Sequence, residues 1–136
     1  MRKRGQTGTE YLIIVGFVTF AIMSILAIAF SLSNSTKDKL QMNQIESFVN
    51  QLISSAESVF FAGEPSKTTR SLYLPQSVTN VTIYEYSVLI KTDSGSGQNI
   101  RVFDSRVPLN GTIFIGEGTK KIIFEAKENF VQIDSS

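Results

Sequence analysis

The chain contains no cysteine and no histidine, and each absence removes a class of chemistry. Without cysteine there is no disulfide framework and no thiolate nucleophile. Without histidine there is neither an imidazole base titrating near neutral pH nor the commonest zinc ligand. Lack of cysteine does not assign a redox compartment, because an exported protein needs disulfides only where its core or its assembly cannot stabilise it. Helix breakers are also missing from the first half: no proline precedes Pro65, and no glycine lies between Gly16 and Gly63. Nothing local therefore forces a long helix there to stop. A large excess of one charge is lacking too. Thirteen basic and twelve acidic side chains give a net charge of +1. Arg2, Lys3 and Arg4 supply three of the positive charges, which leaves the remainder slightly acidic. That balance offers no electrostatic footprint for DNA or RNA, and no nucleic-acid partner is expected. At 136 residues the ceiling is one compact domain, alone or with an extended element.

What the chain does have is a long apolar run. Residues 11–32 contain no charge, and at about 1.5 Å per helical residue they span about 33 Å, enough to cross a bilayer. The basic cluster on the N-terminal side keeps residues 1–5 in the cytoplasm and sends the bulk of the chain outward. The apolar region of a secretory signal peptide is shorter, roughly 7 to 15 residues, and ends in a small-residue cleavage site. Beyond it Met42, Ile45, Phe48, Val49, Leu52, Ile53, Ala56, Val59 and Phe60 recur at the three-and-four spacing of one helix face, with Asn43, Glu46, Asn50 and Glu57 opposite. The two stretches predict one helix over residues 6–62, roughly 85 Å long, in which 11–32 is membrane-spanning or filament core and 37–62 is amphipathic. Gly63 and Pro65 supply the stop. Residues 31–38, rich in Ser, Asn and Thr, predict a local kink or melt.

After Pro65 the period changes to two. Leu72/Leu74, Val81/Ile83, Tyr84/Tyr86/Val88/Ile90, Ile100/Val102, Ile113/Ile115 and Ile122/Phe124 read as short strands. Residues 93–97 read as a hairpin loop, with further turns at 75–77, 108–111 and 116–118. The expected fold is α+β: one long N-terminal helix, then an antiparallel sheet or sandwich over residues 66–136. About 70 residues make a marginal core alone, so the apolar face of residues 42–60 is the natural cover for one side of the sheet.

The run Arg2-Lys3-Arg4-Gly5-Gln6-Thr7-Gly8-Thr9-Glu10-Tyr11-Leu12 resembles the class III signal peptides of archaeal type IV pilin precursors. The resemblance covers residues 2–32. It implies a type IV pilin-like fold and cleavage of the Gly5–Gln6 bond by a prepilin peptidase, with residues 1–5 as the leader. It also places Glu10 at the fifth mature position. The implied function is a structural subunit of an archaeal type IV pilus-like surface filament used in adhesion. Such a subunit is inserted in the membrane first, then polymerised through its N-terminal helix by a pilus assembly ATPase and a membrane platform protein. The implied partners are those proteins, the peptidase, the membrane before assembly, and further copies of the same chain. The alternative is a membrane-tethered extracellular binding protein or a minor pilin; an enzyme is not expected, and no cofactor or metal is implied.

Residue chemistry supports a role for Glu10 independently. A carboxylate beside apolar surroundings needs a partner, and the α-amino group of a new N-terminal Gln6 in a neighbouring subunit can supply one. The plainer reading is that Glu10 favours the positive end of a helix dipole. Asn34-Ser35-Thr36, Asn80-Val81-Thr82 and Asn110-Gly111-Thr112 are N-glycosylation sequons on the outward-facing part of the chain. Asn80 and Asn110 are expected near hairpin edges, and Asn34 near the membrane. The spacing of Gly111 and Gly116 imitates a phosphate-binding loop, but Glu117 and Gly118 stand where Lys and Ser or Thr are required. Asp93 and Asp104 miss the calcium-loop spacing and read as solvated turn residues.

Overall fold

A computed structural model describes residues 3–95 and 97–136, with the side chains of Lys3 and Arg4 left out. Arg2 of the basic leader and Ser96 of the expected 93–97 loop lie outside the described residues. Among the described residues the chain forms one helix, α1 (Lys3–Ala62), followed by seven strands. These are β1 (Lys67–Leu74), β2 (Val78–Tyr84), β3 (Ser87–Ser94), β4 (Gly97–Asp104), β5 (Leu109–Thr112), β6 (Gly118–Ala126) and β7 (Val131–Ser135). The chain divides into two compact units, which meet in sequence between Lys39 and Leu40.

The described part of the first unit is helix throughout. Its hydroxyl side chains bond to the backbone one turn back: Thr19 Oγ1 donates to the Val15 carbonyl at 2.7 Å and Ser24 Oγ to that of Phe20 at 2.9 Å. Each such bond satisfies a polar group without water, as an apolar surrounding requires. The expected melt at residues 31–38 does not occur, since helix runs unbroken through them. Ser35 and Thr36 donate to the carbonyls of Ser31 and Leu32 at 3.3 and 2.9 Å. Hydroxyls that compete for the backbone elsewhere here add a second bond to carbonyls already in the helix. Helix also begins at Lys3 and so takes in residues expected to belong to the leader.

In the second unit the helix face and two sheets enclose one apolar core. One sheet has four strands in the order β1-β6-β7-β5, the other three in the order β2-β3-β4. Ile45, Phe48, Val49, Leu52, Ala56 and Val59 from the helix join Leu72, Leu74, Val88, Ile90, Ile122, Phe124, Val131 and Ile133 in a single buried cluster. Helix and strands both follow their sequence periods here, so burial selects the apolar face of each. Glu46 Oε1 accepts a bond from Arg101 Nη1 at 2.8 Å, tying the helix to β4 at the surface.

The α+β layout is as expected, but the strand detail differs at four places. The pairing of β5 with β7 is parallel, which makes the larger sheet mixed rather than antiparallel. Tyr84 and Tyr86 belong to no common strand: β2 and β3 pair as a hairpin with Tyr84 opposite Ser87, and Glu85-Tyr86 is a two-residue turn. The tyrosines favour strands, and the turn lacks glycine, so composition hid it. Residues 113–117 lie outside the strands, held by a bond from the Phe114 amide to Ser135 Oγ at 2.7 Å. Finally, residues 109–111, expected in a turn, open β5, and Asp93 and Asp104, expected in turns, lie within β3 and β4.

Candidate functional site

The first feature that asks for a function is the surface of residues 11–32. Fifteen large apolar side chains there, including Tyr11, Leu12, Phe17, Phe20, Ile25 and Phe30, are each 43 to 74% exposed. They lie all around the helix, and among the described residues the most apolar eighteen-residue stretch has no buried member. α1 is thus long and apolar enough to cross a membrane. A helix apolar on every side is characteristic of one buried in a protein core or in a membrane.

Glu10 sits exposed at the N-terminal border of this surface, and Gln6 lies one turn before it on the same face. The first turn of α1 contains no acidic residue, so Glu10 is beyond the reach of the helix-terminal partial charge, which fades within that turn. The dipole therefore offers it little. Gly5 and Gln6 are both helical, and the Gly5 carbonyl accepts a bond from Thr9 Oγ1 at 2.9 Å. A protease acting on the Gly5–Gln6 bond must therefore unwind the first turns, where the leading amides have no helical partner and fraying costs least.

The three sequons fall in different settings. Asn34 is exposed on the helix, and the Thr36 hydroxyl of its sequon is engaged by the Leu32 carbonyl. Asn80 is half-buried on β2, next to an irregularity in register between Val78 and Asn80. Asn110 is exposed on β5, the last strand of the larger sheet.

Among the clefts of the second unit, one is walled by a single stretch of chain and another by segments distant in sequence, so the second is not evident from the sequence. One, of about 380 Å³, runs between the end of α1 and the start of β1, with Ser55, Ser58, Lys67 and Arg70 in its walls. The other, of about 470 Å³, is lined by Tyr84, Glu85, Pro108, Asn110, Asn129 and Phe130 together with Ile83 and Leu109. Among the described residues no group of three acidic side chains gathers in a way that would hold a metal ion. Lys127 Nζ donates to Glu125 Oε1 at 2.7 Å. That bond, with the lysine's charge, holds the Glu125 carboxyl below the usual carboxylate range, and it pushes the Lys127 ammonium up. Both groups are open to solvent and far in sequence from the apolar helix, so the pair reads as surface structure. Compared with protein-family models, curated proteins and solved structures, the chain matches none.

Proposed function

We propose that this chain is the precursor of an archaeal type IV pilin-like subunit. It waits in the membrane through residues 11–32, loses residues 1–5, and polymerises through its N-terminal helix into an adhesive surface filament. The observation that carries this reading is the uncovered apolar surface of α1. Burying a large apolar side chain gains about 1.5–3 kcal/mol. Even at half that value the fifteen exposed ones of residues 11–32 represent on the order of 10 to 20 kcal/mol. A free monomer in water would forgo all of it, whereas a membrane before assembly and neighbouring helices after it both supply cover.

The N-terminal residues fit the same account. Cleavage between Gly5 and Gln6 removes the basic leader that anchors the chain on the cytoplasmic side. It also creates an ammonium group at Gln6, a partner for the Glu10 of an adjacent copy. That pairing gives the carboxylate a purpose the helix terminus does not. The amphipathic part of the helix is used differently, because its apolar face belongs to the core of the second unit.

Intact-mass spectrometry and N-terminal sequencing of protein sheared from cell surfaces test the proposal. The expected subunit begins at Gln6 and dominates the sheared fraction. A subunit that retains residues 1–5, or one found only in membranes, overturns it and favours a tethered binding protein.

A further inference from the structure

We propose that Asn110 carries an N-linked saccharide whose first sugar seats in the cleft between Tyr84 and Phe130. The proposal rests on the outward orientation of residues 66–136 adopted above. It distinguishes Asn110 from Asn80, which the sequence leaves equivalent, as well as from Asn34 near the apolar run.

A sequon presents an asparagine and a hydroxyl two residues apart. In a strand these share one face; on a helix they point about 200° apart. Asn34 and Thr36 are helical, and the Thr36 hydroxyl already donates to the Leu32 carbonyl at 2.9 Å. Asn80 and Thr82 share a strand face, but both are half-buried. Only around Asn110 do both requirements meet: Asn110 and Thr112 are exposed and flank Gly111, while Leu109 and Ile113 on either side are buried. β5 ends its sheet, pairing with β7 alone, although the end of β2 lies against it and the Leu109 amide bonds the Glu85 carbonyl at 2.7 Å.

The second, independent observation is the cleft beside Asn110. At about 470 Å³ it falls in the range of small-molecule sites, about 300–1,000 Å³. Tyr84 and Phe130 supply aromatic surface, Asn129 a neutral amide and Glu85 a carboxylate; no lysine or arginine lines it. An anionic ligand would meet no counter-charge there. A neutral polyhydroxylated ring fits, with its C–H face on the aromatics and its hydroxyls on the amide and the carboxylate. Tyr84 is 52% exposed, an uncovered aromatic next to a modifiable asparagine.

The reaction is a group transfer with no change of oxidation state. The Nδ2 of Asn110 attacks the anomeric carbon of an isoprenoid-phosphate-linked saccharide supplied by a glycosyltransferase. A C–N bond forms, the anomeric C–O bond to phosphate breaks, and the lipid phosphate leaves with that electron pair. Nδ2 gives up one proton to a base of the transferase.

The test uses the full protein purified from the cells that make it. Tryptic residues 107–120 contain Asn110 and no other asparagine, and this peptide is expected to carry saccharide mass. Asn110→Gln and Thr112→Ala should each abolish it. Hydroxyl-radical labelling should then be severalfold lower at Tyr84 in the native protein than in either variant. Tyr86, equally exposed at 52% but outside the cleft, should be labelled alike in all three. An unmodified 107–120 peptide overturns the site, and a modified one with Tyr84 unprotected overturns the seat. Protease digestion of intact cells reads the orientation separately. An inward-facing domain brings down this proposal and the filament reading together, whereas an outward-facing domain with bare Asn110 brings down this one alone.

Discussion

Replacing Leu52 by alanine should reveal whether the second half of α1 is part of the globular core or merely leads to it. Leu52 has no solvent exposure and belongs to the cluster shared with both sheets. Leu40 lies on the same helix but is 57% exposed, which makes Leu40→Ala a control with the same change in side chain and helix propensity. Loss of a buried leucine side chain costs about 2–5 kcal/mol, the spread reflecting how far the neighbours collapse into the space. Phe48, Phe124 and Ile122 around the core are themselves fully buried and close-packed, so little collapse is expected and the upper half of that range applies. An exposed substitution stays within about 0.5 kcal/mol. For a unit the size of Leu40–Ser136 each kcal/mol moves the midpoint by about 4–8 °C. Leu52→Ala should thus lower Tm by on the order of 15 to 40 °C and Leu40→Ala hardly at all. Urea denaturation of a soluble fragment from Lys37 to Ser136, followed by circular dichroism, measures both at equal m-value. If the two variants unfold within 1 kcal/mol of each other on that scale, the helix does not help hold the sheets, and the shared core is refuted.

Gly111 allows a second test. Its φ of +141° suits glycine, and a Cβ there would meet the backbone oxygen of Ile133. Gly111→Ala should unzip β5 from β7, seen as loss of amide-exchange protection in both strands, whereas Gly95→Ala, with open space around it, should not. The Glu125–Lys127 pair has a defined pH window. The depressed Glu125 pKa contributes stability above its unfolded value and loses it as pH falls through the folded one. The raised Lys127 pKa contributes below its unfolded value and loses it as pH rises through the folded one. Lys127→Met should return the Glu125 titration upward by carboxyl NMR, and an unmoved titration would remove the assigned cause. Glu10→Gln should leave membrane insertion and processing intact but abolish filaments, because an unpartnered ammonium in a desolvated interface costs about 3–5 kcal/mol at every repeat. Filaments at wild-type level in sheared fractions would dissociate Glu10 from assembly.

The sequence by itself determined the elements whose burial has a strong period. The charge-free run of residues 11–32 reads as a helix long and apolar enough to cross a membrane, because a bilayer-length stretch without charge has no strongly water-seeking side. The spacing from Ile45 to Val59 fixed which helix face is buried, since neighbours on a helix lie three and four apart. Alternation did the same for Leu72/Leu74 and Ile122/Phe124. What only the tertiary structure decided were matters of pairing. The hairpin at Glu85-Tyr86 and the parallel partnership of β5 with β7 depend on which strand lies alongside, and a two-residue period carries no information about the neighbour. Strand β7, absent from the sequence reading, is visible only because Val131 and Ile133 meet β6 and the core. The cleft at Asn110 belongs to the same class. Tyr84, Pro108 and Phe130 are far apart in sequence, and they come together because the Leu109 amide bonds the Glu85 carbonyl and the Val131 amide bonds that of Pro108. Those two backbone bonds, which no side-chain pattern encodes, place the cleft beside Asn110.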